Sequence, residues 1–244
     1  MSTPVCAAAP IRIAVLDSGV HLAHPHVGGV ADGADCTQGE LPRQGREFIA
    51  DRLGHGTAVA ALIHHLAPEA ELVVARIFDR HLSTSISIVL RAIEWSLEQN
   101  VQILNLSFGT QNPAHRESFE RVIERAAEAG VVIVSAYEAD GQPVLPGSLD
   151  GVLGVVEEAE CPPLEYRVHR DERGLRFGAS PYPRAIPGVP QERNLHGVSF
   201  ATGALSAQVA RFWRQRGPQA DWPAFLEQEL ACPGNQMLRQ FHPS

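Results

Sequence analysis

The sequence predicts an α/β domain in which a doubly wound, mostly parallel sheet is flanked by helices. Strand-like and helix-like segments alternate along most of the chain, the order that builds parallel crossovers. The strand-like runs are continuously apolar rather than alternating, so both faces of the sheet must be covered. At 244 residues, 44% hydrophobic and 20% charged, the chain can bury one substantial core.

The elements follow in order. Residues 11–17, "IRIAVLD", are a β-branched apolar run that stops at Asp-Ser-Gly, a strand ending in a turn. In "GHGTAVAALIHHL", Val59, Leu62, Ile63 and Leu66 recur at helical spacing behind two glycines. Residues 70–78 form a second strand. "SISIVLRAIEWSLEQN" is a helix expected to end at Asn100. A third strand at 101–108 leads into "HRESFERVIERAAEAG", a helix closed by Gly130. Residues 131–136 and 151–156 supply a fourth and a fifth strand. From about 157 to 194 the pattern dissolves, and "ASPYPRAIPGVPQERN" reads as a long surface loop. "SFATGALSAQVARFWRQRG" is then a helix with small residues at its start, and "DWPAFLEQELA" a short amphipathic piece. The reading is a tail over residues 1–10 and a single domain over 11–244.

Composition narrows the partners. A formal charge of −8 at pH 7 opposes non-specific nucleic-acid binding, because phosphates demand a basic face. No window approaches the ~18 apolar residues of a spanning helix, so no membrane partner is expected. "MSTPVCAAAPIRIAVLD" shows neither a basic nor an apolar leader region before the first strand. The four cysteines, Cys6, Cys36, Cys161 and Cys232, are scattered without a C-x-x-C pair. Free thiols in a reducing cytoplasm are the expectation.

In a parallel sheet, chemistry gathers beyond the carboxyl ends of the strands. Asp17 lies at such an end. His55 starts the next helix between two glycines, and Ser199 starts another, where free N–H groups favour a developing negative charge. Singly, each has a plainer reading: the aspartate bonds turn amides, the histidine caps a helix, the serine marks a tight turn. Together they have the makings of nucleophilic catalysis. A serine needs a base to take its proton, and a histidine serves only when a carboxylate holds its tautomer.

On these residues the chain resembles the subtilisin-like serine peptidases, whose triad runs in the order Asp, His, Ser. "IAVLDSGVHLAHPHV", "GHGTAVAALI" and "HGVSFATGALSA" are similar to the family's three catalytic segments. "LAPEAELVVARIFD" and "AIEWSLEQNVQILNLSFG" are similar to the elements between them. The resemblance implies Asp17, His55 and Ser199 as catalytic residues. It also implies that Ser107 and Gly109 line the substrate beside its first specificity pocket. Peptide or protein is the implied partner, and the oligomeric state is unreadable.

The segment "VVIVSAYEADGQ" departs from the family's Ala-Ala-Gly-Asn. The position of the asparagine that donates to the oxyanion falls on Ala139, between Glu138 and Asp140, and neither alanine nor a carboxylate can donate from its side chain. Removing one such donor from a subtilisin costs about 10²–10³ in rate. Two rescues are open: a protonated Glu138 or Asp140, or Tyr137 or another loop. Val198 and Gly203 replace a threonine and a proline. The expected function is a serine endopeptidase acting through an acyl-enzyme. The alternatives are a weak or inactive module that holds a peptide, and acyl transfer by the same serine. No cofactor is expected. The calcium loop found in many family members is missing after "HHL", and the spacing of His21, His24 and His26 fits no tight zinc motif.

Overall fold

A computed structural model describes residues 9–231. Cys6, Cys232 and most of the expected N-terminal tail lie outside those residues. In chain order the elements are β1 (Arg12–Asp17), β2 (Val30–Asp35), β3 (Arg43–Gln44), α1 (His55–Leu66) and β4 (Glu71–Arg76). They continue with α2 (Ile86–Leu97), β5 (Ile103–Leu106), α3 (Arg116–Glu128), β6 (Val132–Ala136), β7 (Glu138–Ala139) and β8 (Gln142–Pro143). The last are β9 (Val152–Glu157), β10 (Tyr166–Asp171), β11 (Gly174–Ala179), α4 (Val198–Arg216) and α5 (Trp222–Ala231).

Nine strands form one sheet in the order β10-β11-β9-β6-β5-β1-β4-β2-β3. The central strands are parallel, and β1 pairs with β4 on one side and β5 on the other. This is the predicted doubly wound sheet, and its physical basis is the one read from sequence. Alternate residues of the apolar strands point to opposite faces, so each strand feeds two cores. Ile13 and Val15 of β1 pack with Val59, Leu62 and Ile63 of α1 and with Ala204 and Leu205 of α4. Ala14 and Leu16 pack on the other face, with Ile93 of α2 and Phe119 of α3.

The predicted helices hold with shifted ends. α2 stops at Leu97, and Asn100 turns the chain with φ 54°. Gly130 takes φ 68° just beyond α3, a left-handed conformation that glycine adopts without a Cβ penalty.

Two regions differ from the sequence reading. β2, "VADGAD", carries too few apolar residues to read as a strand, yet it pairs with β4. Ile49 fills the face above it, and a Cβ on Gly33 would stand 2.8 Å from the Ile49 side chain. The second region is 157–179. There β10 and β11 form an antiparallel hairpin, and β11 continues the sheet in parallel with β9. Phe177 and Tyr166 anchor it, both buried against α4 and α5, and the Tyr166 hydroxyl donates to the Leu226 carbonyl at 2.8 Å. Exposed charged residues on both faces (Arg167, Arg170, Asp171) hid this strand. The loop reading holds for residues 180–194, apart from a 3₁₀ turn at Gln191–Arg193.

If the hairpin is part of the core, Phe177→Ala will cost about 3–5 kcal/mol of unfolding free energy, as truncation of a buried phenylalanine does. Leu82→Ala, on a side chain that is 54% exposed, will stay within about 0.5 kcal/mol. Urea unfolding of both variants measures the contrast.

Candidate functional site

Asp17 ends β1 and is fully buried. Its Oδ1 accepts from the Ser18 amide at 2.7 Å and faces His55 Nδ1 at 2.7 Å. His55 is the first residue of α1, and the chain enters that helix through Gly54 at φ 81°. Gly56 lets the helix start lie against β1: a Cβ there would stand 2.3 Å from the Gly19 carbonyl and 3.1 Å from Asp17 Oδ1. The "GHG" string is therefore a packing requirement as well as a place for a base.

A second carboxylate, which sequence reasoning missed, organises this corner. Asp51 accepts five hydrogen bonds: the Ser18 hydroxyl, the Leu53 and Gly54 amides, and the Thr57 amide and hydroxyl, at 2.5–2.9 Å. The Ser18 hydroxyl in turn accepts from the Gly56 amide at 2.9 Å. Asp51 thereby satisfies amides at the start of α1 that have no helical partner. Burial opposes its ionisation, yet the hydrogen bonds from Thr57, Leu53 and Gly54 outweigh burial and hold its pKa below the ordinary value. The available signal was an aspartate shortly before a glycine that opens a helix.

For His55 the balance is likewise explicit. Burial lowers its proton affinity, but the hydrogen bond and charge of Asp17, with the more distant charge of Asp51, raise the pKa above 6.5. Asp17 and Asp51 thus favour the charged form of the ring.

Ser199 is the second residue of α4. Its hydroxyl donates to the Ser107 carbonyl at 3.1 Å, and the Ser107 hydroxyl donates back to the Ser199 carbonyl at 3.3 Å. Behind this clasp runs a buried polar chain. Asn105 Nδ2 donates to the Ser107 hydroxyl at 2.8 Å, and the Ser206 hydroxyl donates to Asn105 Oδ1 at 2.9 Å. β5 and α4 are thus tied at two levels, which fixes where Ser199 stands. Asn105 and Ser206 also escaped the sequence reading. Their signal was a polar residue on an otherwise apolar strand and helix face. The ring of Phe200 lies 5.9 Å from that of His55, which brings the start of α4 against His55. The carboxyl ends of β1 and β5 and the starts of α1 and α4 thus converge on one corner.

The segment after β6 is built differently from an asparagine loop. Glu138 and Ala139 pair antiparallel with Pro143 and Gln142. Asp140 and Gly141 connect them with φ 51° and 71°, the two left-handed positions of a tight two-residue hairpin. Ala139 and Asp140 are exposed. The Glu138 carboxylate is 2.7 Å from the Arg173 guanidinium, and the Tyr137 hydroxyl donates to the Arg173 carbonyl at 2.6 Å. Both groups already have partners in the β10–β11 turn. Gly109 is exposed, while Ser107 is buried.

Among the described residues no group of three or more His, Cys, Asp or Glu is placed to hold a metal ion. His24 and His26 meet edge to face at 5.2 Å.

Asp17, His55 and the start of α4 that carries Ser199 thus meet at one edge of a mostly parallel sheet. The chain belongs to the subtilase family, peptidase S8, whose family model matches residues 9–242. It is 32% identical over 230 residues to a thermostable alkaline protease of Halalkalibacterium halodurans, covering 85% of this chain and 57% of that protein. It is 30% identical over 141 residues to subtilisin E of Bacillus subtilis, 54% of this chain and 35% of that one. The human membrane-bound transcription factor site-1 protease is 32% identical over 139 residues, 54% of this chain and 12% of that protein. Among solved structures, sphericase superposes with a TM-score of 0.69 over 91% of this chain and 82% of its own, at 21% identity. The chain therefore spans little more than half of the alkaline protease and about a third of subtilisin E.

Asp51→Asn replaces an acceptor oxygen with a donor facing the helix-start amides. It will cost about 1–3 kcal/mol, the range for an unsatisfied buried partner, read by thermal or urea unfolding. The His55 shift has a defined sign. With its folded pKa above the unfolded value, His55 contributes stability that is fully present below about pH 6.5. That stability is lost as pH rises through the higher folded pKa. Titration of the His55 ring by NMR will give a midpoint above about 6.5, and Asp51→Asn, which removes a charge that raises it, will bring the midpoint down.

Proposed function

We propose that the chain is a serine endopeptidase whose catalytic residues are Asp17, His55 and Ser199. The observation that carries the reading is the 2.7 Å contact between the buried Asp17 carboxylate and His55 Nδ1. It leaves the other ring nitrogen of His55 free to act as a base. The Ser199 hydroxyl turns from the Ser107 carbonyl to His55 Nε2, gives up its proton and bonds to a peptide carbonyl carbon. The carbonyl π pair moves to oxygen. Collapse breaks the C–N bond as His55 returns the proton to the leaving amine. Water then repeats the sequence on the acyl-serine and restores the enzyme. A peptide lies extended along the backbone of residues 107–109, where Gly109 is exposed.

The oxyanion meets the Ser199 amide, which lies in the first turn of α4, where no helical carbonyl is available to it. Ala139 supplies no side-chain donor. The rate is accordingly set about 10²–10³ below that of a site with a side-chain donor as well. The same observation favours a second reading, a module that holds a peptide without turning it over. Acyl transfer is the third, since an amine can replace water in the second half.

Two findings bear on where it acts. No described helix is long and apolar enough to cross a membrane. Cys36 and Cys161 are free thiols whose pKa values are pushed up by burial to about 12 and about 11. Inert, unpaired thiols fit the reducing cytoplasm, and we place the protein there.

A fluorophosphonate probe with intact-mass readout tests the proposal. The protein will gain one label at Ser199, and Ser199→Ala and His55→Ala will each lose it. Folded wild-type protein that stays unlabelled, beside an ordinary subtilisin that labels, would sink the peptidase reading in favour of the binding module. An added amine then separates hydrolysis from transfer by product mass.

A further inference from the structure

We infer that the residue whose carbonyl Ser199 attacks is small (glycine, alanine or serine) because Val144 occupies the room that a larger side chain would need. The inference rests on the peptidase reading and adds the substrate class to it. The clasp between Ser199 and Ser107, at 3.1 and 3.3 Å, holds the short strand that begins at Ser107 against the nucleophile. In an acyl-serine the Cβ of the acyl residue is only three bonds from Ser199 Oγ. That side chain therefore projects beside the same short strand.

The room against Gly109 of that strand is already filled. A Cβ on Gly109 would stand 2.2 Å from Val144 Cγ2 and 2.7 Å from its Cβ, so the Val144 side chain lies directly on the Gly109 α-carbon. Val144 is 2% exposed.

Nor is Val144 free to withdraw. Its amide donates to the Tyr137 carbonyl at 2.8 Å. The next residue, Leu145, exchanges both backbone hydrogen bonds with Thr110, at 2.9 and 2.8 Å. Beyond it, a Cβ on Gly147 would stand 1.9 Å from the Ala136 carbonyl, which seats this segment on the end of β6. Tyr137 is pinned in turn: its hydroxyl bonds the Arg173 carbonyl, and the Arg173 and Arg176 guanidiniums lie 5.7 and 5.3 Å from its ring centre. The tight β7–β8 hairpin has therefore pulled the chain across to Gly109 and Thr110. In a close-packed wall of this kind, a side chain larger by even a methylene or two finds no volume.

Two peptidyl diphenyl phosphonates, identical except for an alanine or a phenylalanine side chain next to phosphorus, test this in single turnover at Ser199. The wild-type protein will react with the alanine probe at least about 10-fold faster, the low end of discrimination by one methylene. In Val144→Gly the ratio of phenylalanine to alanine rates will rise by about 10–200-fold. Val144→Ala, the milder change, will move it the same way, and a melting curve confirms that each variant is folded. Being a ratio, the readout is insensitive to any general loss of reactivity. Wild-type protein that labels with fluorophosphonate yet takes the phenylalanine probe as fast as the alanine one would overturn the inference and leave the peptidase reading standing. So would folded Val144 variants with an unchanged ratio. Absence of labelling by every probe would instead remove the peptidase reading, and this inference with it.

Discussion

Everything at this site depends on a carboxylate that is buried. Asp17 has no exposure to water, and a buried polar side chain is costly unless its neighbours bond it. The Ser18 amide and His55 Nδ1 both converge on Oδ1. The demand then spreads outward. His55 can face Asp17 only if α1 begins within a hydrogen bond of β1, which forces glycine at 56 and a left-handed glycine at 54. The helix start so placed exposes amides, and Asp51 collects them. One buried carboxylate thus dictates the loop, the helix start and a second carboxylate behind it.

The serine side is held by a different kind of force. Ser199 sits on no charge. It is located by a run of neutral hydrogen bonds from Ser206 through Asn105 and Ser107, in a region where water does not compete. Such bonds are modest individually, but leaving any member unpartnered in a dry core is costly. The two halves of the site thus come from opposite ends of the chain, and the sheet order brings them together. β1 and β5 are neighbours, and α4 packs across their common face beside α1.

The third side shows how a local change in turn chemistry propagates. The left-handed pair Asp140 and Gly141 closes β7 onto β8 within two residues. A hairpin so short returns the chain at once toward β5, where Leu145 pairs with Thr110 and Val144 meets Gly109. The β10–β11 turn then locks the arrangement by taking Glu138 and the Tyr137 hydroxyl as partners. In our proposals, one compact turn both leaves the oxyanion region without a side-chain donor and narrows the substrate.

The sequence by itself determined the parallel core, because long β-branched apolar runs between helices have only one low-cost way to be covered on both faces. It also marked Asp17, His55 and Ser199, because each stands where a strand ends or a helix begins and their order matches a known family. It could not reveal β10 and β11, whose exposed charges mask a buried Tyr166 and Phe177, nor β2, whose apolar partner Ile49 comes from elsewhere in the chain. Asp51, Asn105, Ser206 and Val144 were equally silent. Their roles arise from contacts across as many as 101 positions of chain, and only the folded sheet decides which distant backbone a polar atom or a methyl group will meet.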